Sequence, residues 1–412
     1  MAETPVVSGV FSERWRPVGL VAGWQTAASL CYYSIFAATD FVRNTFALSE
    51  SLVGLFLAAA LIGYTLALFP SGAAVDGYGE RPVMIVGLLG LAAAAVGVSF
   101  APTYLTILIA AGVLGAAYST AMPASNRGIV ANAPAGQANL AMGLKQVGVT
   151  TGSAAASIVI TGVAAVVVWP VGFWIIAIIA GGYTLGFGRT YTGKPGSGEI
   201  TIPDMWGLIK GRRYALLIVA GLFIGASIFS MLGYIVLYVV DVVRLGSRVG
   251  NLGITATIIG GGVLALTQLT GSAARIAAGS LADRLRSHQM ADSQGSALVA
   301  AAQLTLGTVL FITLAVGPQS ILVVIVAFIG LGLSIHGSPG VFYSCLADLV
   351  DDTELGAATA GGQIAINIGG VLTPPLFGII VETSGYNLAW VLLAGLSGIA
   401  AVLLGLIVYI SR

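Results

Sequence analysis

The chain alternates long apolar runs with short polar or Gly/Pro breaks, and the runs are long enough to cross a membrane. Val83 to Ala101 and Trp390 to Ile410, for example, carry no charged residue. A spanning α-helix needs roughly 20 apolar residues, whereas a spanning strand needs about 10 and alternates in polarity. The pattern therefore predicts helices and excludes a barrel. Twelve spans follow, at 18–38, 52–71, 83–101, 104–125, 139–167, 171–188, 213–239, 250–277, 296–316, 320–345, 357–381 and 387–410. The expected fold class is an all-α membrane protein of two pseudo-symmetric six-helix bundles. Residues 1–188 form the first and 213–412 the second. They are joined by a polar linker, 189–212, that contains Lys194, Pro195, Glu199 and Asp204.

The breaks also set an orientation. Twelve of the 17 Lys/Arg fall on one side of the predicted membrane, Arg14, Arg16, Arg81, Arg127, Arg189 and Lys194 among them. Only Arg43, Arg244 and Arg248 fall on the other, and Lys145 and Arg275 lie within spans. The positive-inside rule then puts both chain ends and the linker in the cytoplasm of a cell (plasma) membrane protein. Met1 to Pro17 lacks the apolar core and cleavage site of a signal peptide, so the first span is expected to be retained.

Composition sharpens the picture by exclusion. The chain is 57% hydrophobic and 8% charged, with a mean hydropathy of +0.98, where a soluble domain carries about 25% charged residues. A net charge of +1 gives nucleic-acid binding no electrostatic basis. Cys31 and Cys345 sit in or beside apolar spans, far apart, and read as packing residues. No nucleophile, metal cluster or acid–base pair is visible, since His288 is in a loop and His336 stands by itself in span ten. An enzyme, a cofactor or a bound metal is therefore not expected. The partners expected are a small-molecule solute and the lipid bilayer, with the protein a monomer.

The two halves repeat. Thr26, Ser29, Tyr33, Asp40 and Arg43 recur 201 residues on as Ser227, Ser230, Tyr234, Asp241 and Arg244. Gly115, Ala141, Gln146 and Gly152 recur 217 residues on as Gly332, Ala358, Gln363 and Gly369. Parallel repeats are a transporter design with the solute site between the halves.

Between spans two and three stands Gly72-x-x-x-Asp76-x-x-Gly79-Glu80-Arg81, and between spans eight and nine Gly279-x-x-x-Asp283-Arg284-x-Arg286. Both resemble the signature loop of the major facilitator superfamily, G-x-x-x-D-R-x-G-R-R/K, which occurs once in each half. Gly77 and Glu80 stand where the first copy has basic residues in the family, and the second copy lacks the later Gly. The resemblance implies alternating access, with Gly72, Asp76, Arg81, Gly279, Asp283 and Arg284 as a cytoplasmic gate. In that gate the Gly allows close helix approach, and the Asp accepts bonds from helix N-termini or from an Arg across the seam. Drug/proton antiporters of the family carry an Arg in span four and Gly-Pro-x-x-Gly-Gly in span five. This chain has Ala111 and Val149-Thr150-Thr151-Gly152-Ser153-Ala154 there, which counts against proton-driven drug efflux.

Charge inside a span costs at least ~2.5 kcal/mol and marks function by default. Lys145 lies about two turns into span five, on the small-residue face of Ala141, Gly148 and Gly152, and it would otherwise be a side chain snorkelling to the interface. The string Arg275-x-x-x-Gly279-x-x-x-Asp283-Arg284 resembles span eight of the monocarboxylate, oxalate and nitrate carriers of the superfamily, in which the Arg binds the anion. Its bland alternative is a local pair with Asp283 or with Glu-type partners at the interface. Gln146, Tyr33, Tyr234, Gln363 and Asn367 complete the candidate solute site, and each could instead be interhelical glue. All 16 acidic residues fall in loops or at span ends, leaving His336 as the candidate proton-coupling group. The expectation is a secondary active or facilitative carrier of a small, anionic solute such as a carboxylate. The competing reading is proton-coupled efflux of drugs or neutral metabolites.

Overall fold

The computed structural model describes residues 13–135, 137–198, 211–243, 255–286, 292–351 and 354–410. The helices in chain order are α1 Arg16–Ala37, α2 Thr39–Phe46, α3 Glu50–Tyr78, α4 Glu80–Ser99, α5 Tyr104–Tyr118, α6 Ala121–Asn132, α7 Ala138–Ala164 and α8 Trp169–Thr190. The second half continues with α9 Arg212–Asp241, α10 Ala256–Arg286, α11 Asp292–Val316, α12 Ile321–Leu331, α13 Pro339–Ala347 and α14 Leu355–Ile410. Arg244, Arg248, His288, linker residues 199–210 and both chain ends lie outside the described residues.

Ten segments are long and apolar enough to cross a bilayer. Two facts raise the count to the expected twelve. At 1.5 Å per residue, a straight 56-residue α14 would run far beyond the ~30 Å hydrocarbon core. Gly385 breaks it with φ 82° and ψ 171°, so it crosses twice. The other crossing is α1, whose 22 residues include Gln25, Thr26, Ser29 and Ser34. Spans four and ten are each split: α5 gives way to α6 at Ser119–Thr120, and α12 gives way to α13 through a π turn at Gly332–His336. An even number of crossings puts both ends on one face, called here the terminal face, and α2 on the other, the distal face.

Local sequence explains the helix starts. Thr103 and Thr106 form a reciprocal capping box on α5, Ser320 caps α12 at the Val323 N–H, and prolines open α1, α8 and α13. What holds the helices together is close backbone approach. A Cβ added at Gly152 would collide with the Thr26 carbonyl on α1, and one at Gly369 with the Leu222 carbonyl on α9. One at Gly115 would meet the Ala60 carbonyl on α3, and one at Gly332 the Thr267 carbonyl on α10. The residues that match at the 217-residue offset thus make the same crossings in both halves: span five on span one, and span four on span two. Cys31 and Cys345 are buried thiols, not joined in a disulfide.

The halves meet along two lines, α7 against α10 and α3 against α14. Thr150 and Ser272 share a hydrogen bond at mid-membrane, and Gln268 Nε2 reaches Ser157 Oγ at 3.5 Å. Every other hydrogen bond between the halves, among the described residues, lies nearer the distal face.

Gly152→Val and Gly369→Val are each expected to destabilise the protein by about 1–3 kcal/mol through overpacking, measured as a lower Tm in detergent. Gly186→Val, where a Cβ meets nothing within 4 Å, should leave Tm unchanged.

Candidate solute-binding site

Lys145 points inward from α7 and is 0% exposed, so it does not snorkel. Its Nζ donates to Asn126 Oδ1 at 2.6 Å, with Met122 Sδ at 3.8 Å. Both partners come from α6 and both are neutral. Arg275 stands about three turns before the end of α10, deeper than the predicted span end at 277 implied. Span eight runs on to Arg286, because the polar Gly279–Arg286 stretch is helical. The local pairing with Asp283 is also absent among the described ion pairs. Instead, where the π turn and Pro339 break the ladder of span ten, the His336 carbonyl accepts Nε and Nη2 of Arg275, each at 3.2 Å. Nη1 makes no hydrogen bond among the described residues.

The two cations lie within electrostatic reach of each other, one from each half. Tyr33 on α1, Tyr118 on α5 and Tyr343 on α13 lie within electrostatic reach of Arg275. Tyr118 is fixed by a stack on Tyr32 (centroids 4.2 Å) and by a hydrogen bond with Ser29 Oγ at 3.1 Å. Tyr343 donates to Gln363 Oε1 at 2.7 Å, and Gln363 Nε2 donates to Asn367 Oδ1 at 2.9 Å, leaving Asn367 Nδ2 buried with no partner. Gln146 is half-buried beside Lys145. Lys145, Arg275, Tyr33, Gln363, Asn367 and Gln146 therefore gather around one central region. Tyr33, Arg275, Tyr343 and Gln363 keep partial exposure in the middle of the bundle, which is a cleft between the halves.

Two predicted residues do not join them. Tyr234 donates to the carbonyls of Glu50 (2.6 Å) and Pro374 (3.0 Å) and packs on Phe377, all on the distal side. The His336 ring is 3% exposed and wedged against Gly271, with Nδ1 unpartnered. Asn126, Tyr118 and Tyr343 are the residues that sequence reasoning missed. Asn126 fell one residue beyond the predicted end of span four, and α6 carries that span on to Asn132.

The distal face is closed by ions. Arg43 Nη1 bonds Glu50 and Asp241 at 2.6 Å each, and Nη2 bonds Asp40 and Asp241 at 2.9 Å. Tyr386 adds a bond to Asp241 at 2.9 Å, and Thr257 one to Asp40 at 3.3 Å. Burial works against the Arg43 charge, but its bonds to Asp241 and Glu50 outweigh that and raise its pKa above the ordinary arginine value.

At the terminal face the motif residues behave otherwise than the resemblance implied. A Cβ at Gly72 or Gly279 would meet nothing within 4 Å, so neither glycine serves a close approach here. Asp76 faces Arg127 at 3.7 Å within its own half, not across the seam. Glu80 is fully buried and holds Arg127 Nε at 3.3 Å, the Lys194 N–H at 2.7 Å and the Tyr191 hydroxyl at 3.2 Å. Arg81 Nη2 ties α4 to the Gly188 carbonyl of α8 at 2.6 Å. Asp283 and Arg284 are exposed on the last turns of α10.

A family model described as Major Facilitator Superfamily matches residues 21–344. The chain belongs to the Major Facilitator Superfamily. Over 97 residues it is 29% identical to "Multidrug transporter AQR1" of Candida glabrata; the match spans 23% of this chain and 16% of that relative. The major-facilitator fold is shared with two crystal structures of a bacterial homolog to the human lysosomal transporter Spinster. The inward-facing, occupied one gives a TM-score of 0.71 at 14% identity, covering 100% of this chain and 97% of that one. The inward-facing, unoccupied one gives 0.72 at 14%, covering 97% of each. The protein is an integral membrane transporter of this superfamily.

Arg43→Gln leaves three carboxylates clustered without a cation and should open the distal seam. Spin labels at the exposed Asn44 and Asn387 are expected to show a new, longer distance population in Arg43→Gln that the parent lacks.

Proposed function

We propose that this transporter carries a small anion with a planar, multi-oxygen head, a carboxylate or nitrate, across the cell membrane. The supporting observation is the pair of interior cations, Lys145 from one half and Arg275 from the other, with no carboxylate paired to either among the described residues. A planar guanidinium offers parallel N–H donors that match such an anion, and Nη1 makes no hydrogen bond among the described residues. Lys145 supplies the second charge. The Tyr33 and Tyr343 phenols, with Gln146, Gln363 and Asn367, supply hydrogen bonds around it. Residues 1–188 and 213–412 rock as units about the linker 189–212, with both chain ends and the linker in the cytoplasm, so the cleft described above opens inward. The Arg43 cluster and Tyr234 are the outer gate, and Asp76, Glu80, Arg81 and Arg127 brace the inner one.

The competing reading, efflux of drugs, draws on the partial likeness to a multidrug transporter. A site with two positive charges repels cationic drugs, and the partial match concerns 23% of the chain.

A thermal-shift series separates the two. Nitrate and oxalate, at constant ionic strength in chloride, should raise Tm, since a ligand at about 100 times its Kd stabilises by about 2.7 kcal/mol. Neutral sugars and cationic drugs should not. Lys145→Gln and Arg275→Gln should each remove the anion shift while folding normally, and Arg275→Lys should not restore it. A shift by sugar or drug with none by the anions, or an anion shift unchanged in both variants, would sink the assignment.

A further inference from the structure

Among the described residues, both partners of Lys145 Nζ, Asn126 and Met122, come from α6. Whatever fixes α6 therefore fixes how the amine is presented to the cleft. Helix α6 is not a simple continuation of α5. Pro123 has no N–H to offer the Ser119 carbonyl, and the helix is interrupted between Tyr118 and Ala121. The segment needs other anchors. Near the cleft, Ser125 Oγ donates to Gln25 Oε1 of α1 at 3.0 Å. Further anchors lie at the terminal face, and the first residues of the linker supply them.

Residues 191–197 are seated on the end of α3 and the start of α4. The Ser197 N–H donates to the Asp76 carbonyl at 2.8 Å, and the Lys194 N–H to Glu80 Oε1 at 2.7 Å. The seat admits backbone only. A Cβ at Gly196 would collide with the carbonyls of Asp76 and Gly77, and one at Gly79 with the Lys194 carbonyl. From this seat the linker reaches α6. The Pro195 carbonyl accepts Arg127 Nη2 at 2.9 Å, and the Tyr191 hydroxyl accepts Asn132 Nδ2 at 3.0 Å. That hydroxyl donates in turn to Glu80 Oε1 at 3.2 Å, and the Tyr191 ring stacks on Phe187 at 4.7 Å. One oxygen of the fully buried Glu80 thus holds the linker, while the other faces Arg127 Nε at 3.3 Å. Arg127 directly follows Asn126, about 100° round the helix, so its anchor sets the rotation at which Asn126 meets Lys145.

We propose, resting on the anion reading above, that residues 191–197 are a positioning strap for the solute site. Seated on Glu80, they fix the rotation of α6 and with it the contact between Asn126 and Lys145. Glu80 and Tyr191 are its positioning residues, and they act on the solute through α6. A segment that reads in the sequence as polar tether is, in its first part, built into the first half. Unseating it lets α6 turn, withdraws the Asn126 amide from Nζ and weakens the site from its far end.

The test uses the full-length protein in nanodiscs with two readouts. One is amide hydrogen exchange across α6, and the other is the nitrate concentration that produces a given rise in Tm, at constant ionic strength in chloride. Gly196→Val drives a side chain into the Asp76 and Gly77 carbonyls and should unseat the strap while leaving every cleft residue in place. Exchange in α6 should quicken while α5 and α7 stay protected. The nitrate concentration needed should rise about fivefold, the worth of one displaced hydrogen bond. Glu80→Gln and Tyr191→Phe should act in the same direction. Gly186→Val, where a Cβ meets nothing within 4 Å, should change neither readout. Unaltered α6 exchange in both Gly196→Val and Glu80→Gln overturns the strap. Quickened exchange with an unchanged nitrate requirement reduces it to a brace and overturns its role at the site. If nitrate does not raise the wild-type Tm, the anion reading falls and the role at the site falls with it, whereas α6 exchange still decides the strap.

Discussion

The organising constraint of this molecule is the cost of positive charge that has no negative neighbour inside a bilayer. Lys145 and Arg275 sit in the middle of the bundle, within reach of each other, and the nearest acceptors are an amide oxygen and a backbone carbonyl. Each acceptor exists because a neighbouring span is interrupted. Span four breaks after Tyr118 and restarts as α6, which brings Asn126 round to Lys145. Span ten opens into a π turn before Pro339, which offers the His336 carbonyl to Arg275. The breaks in the helices are thus where solvation is supplied to charge, as membrane interiors require of non-helical backbone.

Carboxylates are kept at the two faces, where they serve different ends. At the distal face three of them surround Arg43 and stitch α2 and α3 to α9. At the terminal face Glu80 is buried inside one half, where it collects Arg127, Tyr191 and the start of the linker. One set of ions closes the seam between halves; the other stiffens a single half and leaves the seam free. That division fits a cleft closed at the distal face and open at the terminal one.

Much of this was legible in the residues. Run length predicted twelve crossings, and α14, continuous by its hydrogen bonds, becomes two of them once Gly385 is seen to break it. Lys145 and Arg275 stood out because charge in a span is rare. Their depth and partners were harder to read. Asn126 lies on a polar turn that hydropathy assigns to a loop, though helix α6 continues through it. Tyr33 and Tyr234 share a repeat position, yet one faces Arg275 and the other is spent on backbone carbonyls at the distal seam. Periodicity cannot separate those fates, because they depend on which neighbour crosses above. The motif loop misled in a different way. Its pattern implies a latch across the seam, but Glu80 in place of a basic residue turns the network inward.

Repetition and asymmetry therefore divide the work. Gly115 with Gly332, and Gly152 with Gly369, repeat because any side chain there would strike a neighbouring backbone, and that demand is the same in each half. Lys145 has Gly362 at the equivalent position, and a Cβ there would already press on Leu346 and Phe342. The second half packs an apolar contact where the first half holds its charge, and it places its own cation on α10, a span whose counterpart in the first half has no basic residue. Had both halves kept a lysine at this position, a third positive charge would have entered the same interior. A twofold-repeated scaffold can hold one compact cationic centre only if each half gives up part of its symmetry, and both cations that face the cleft break the repeat.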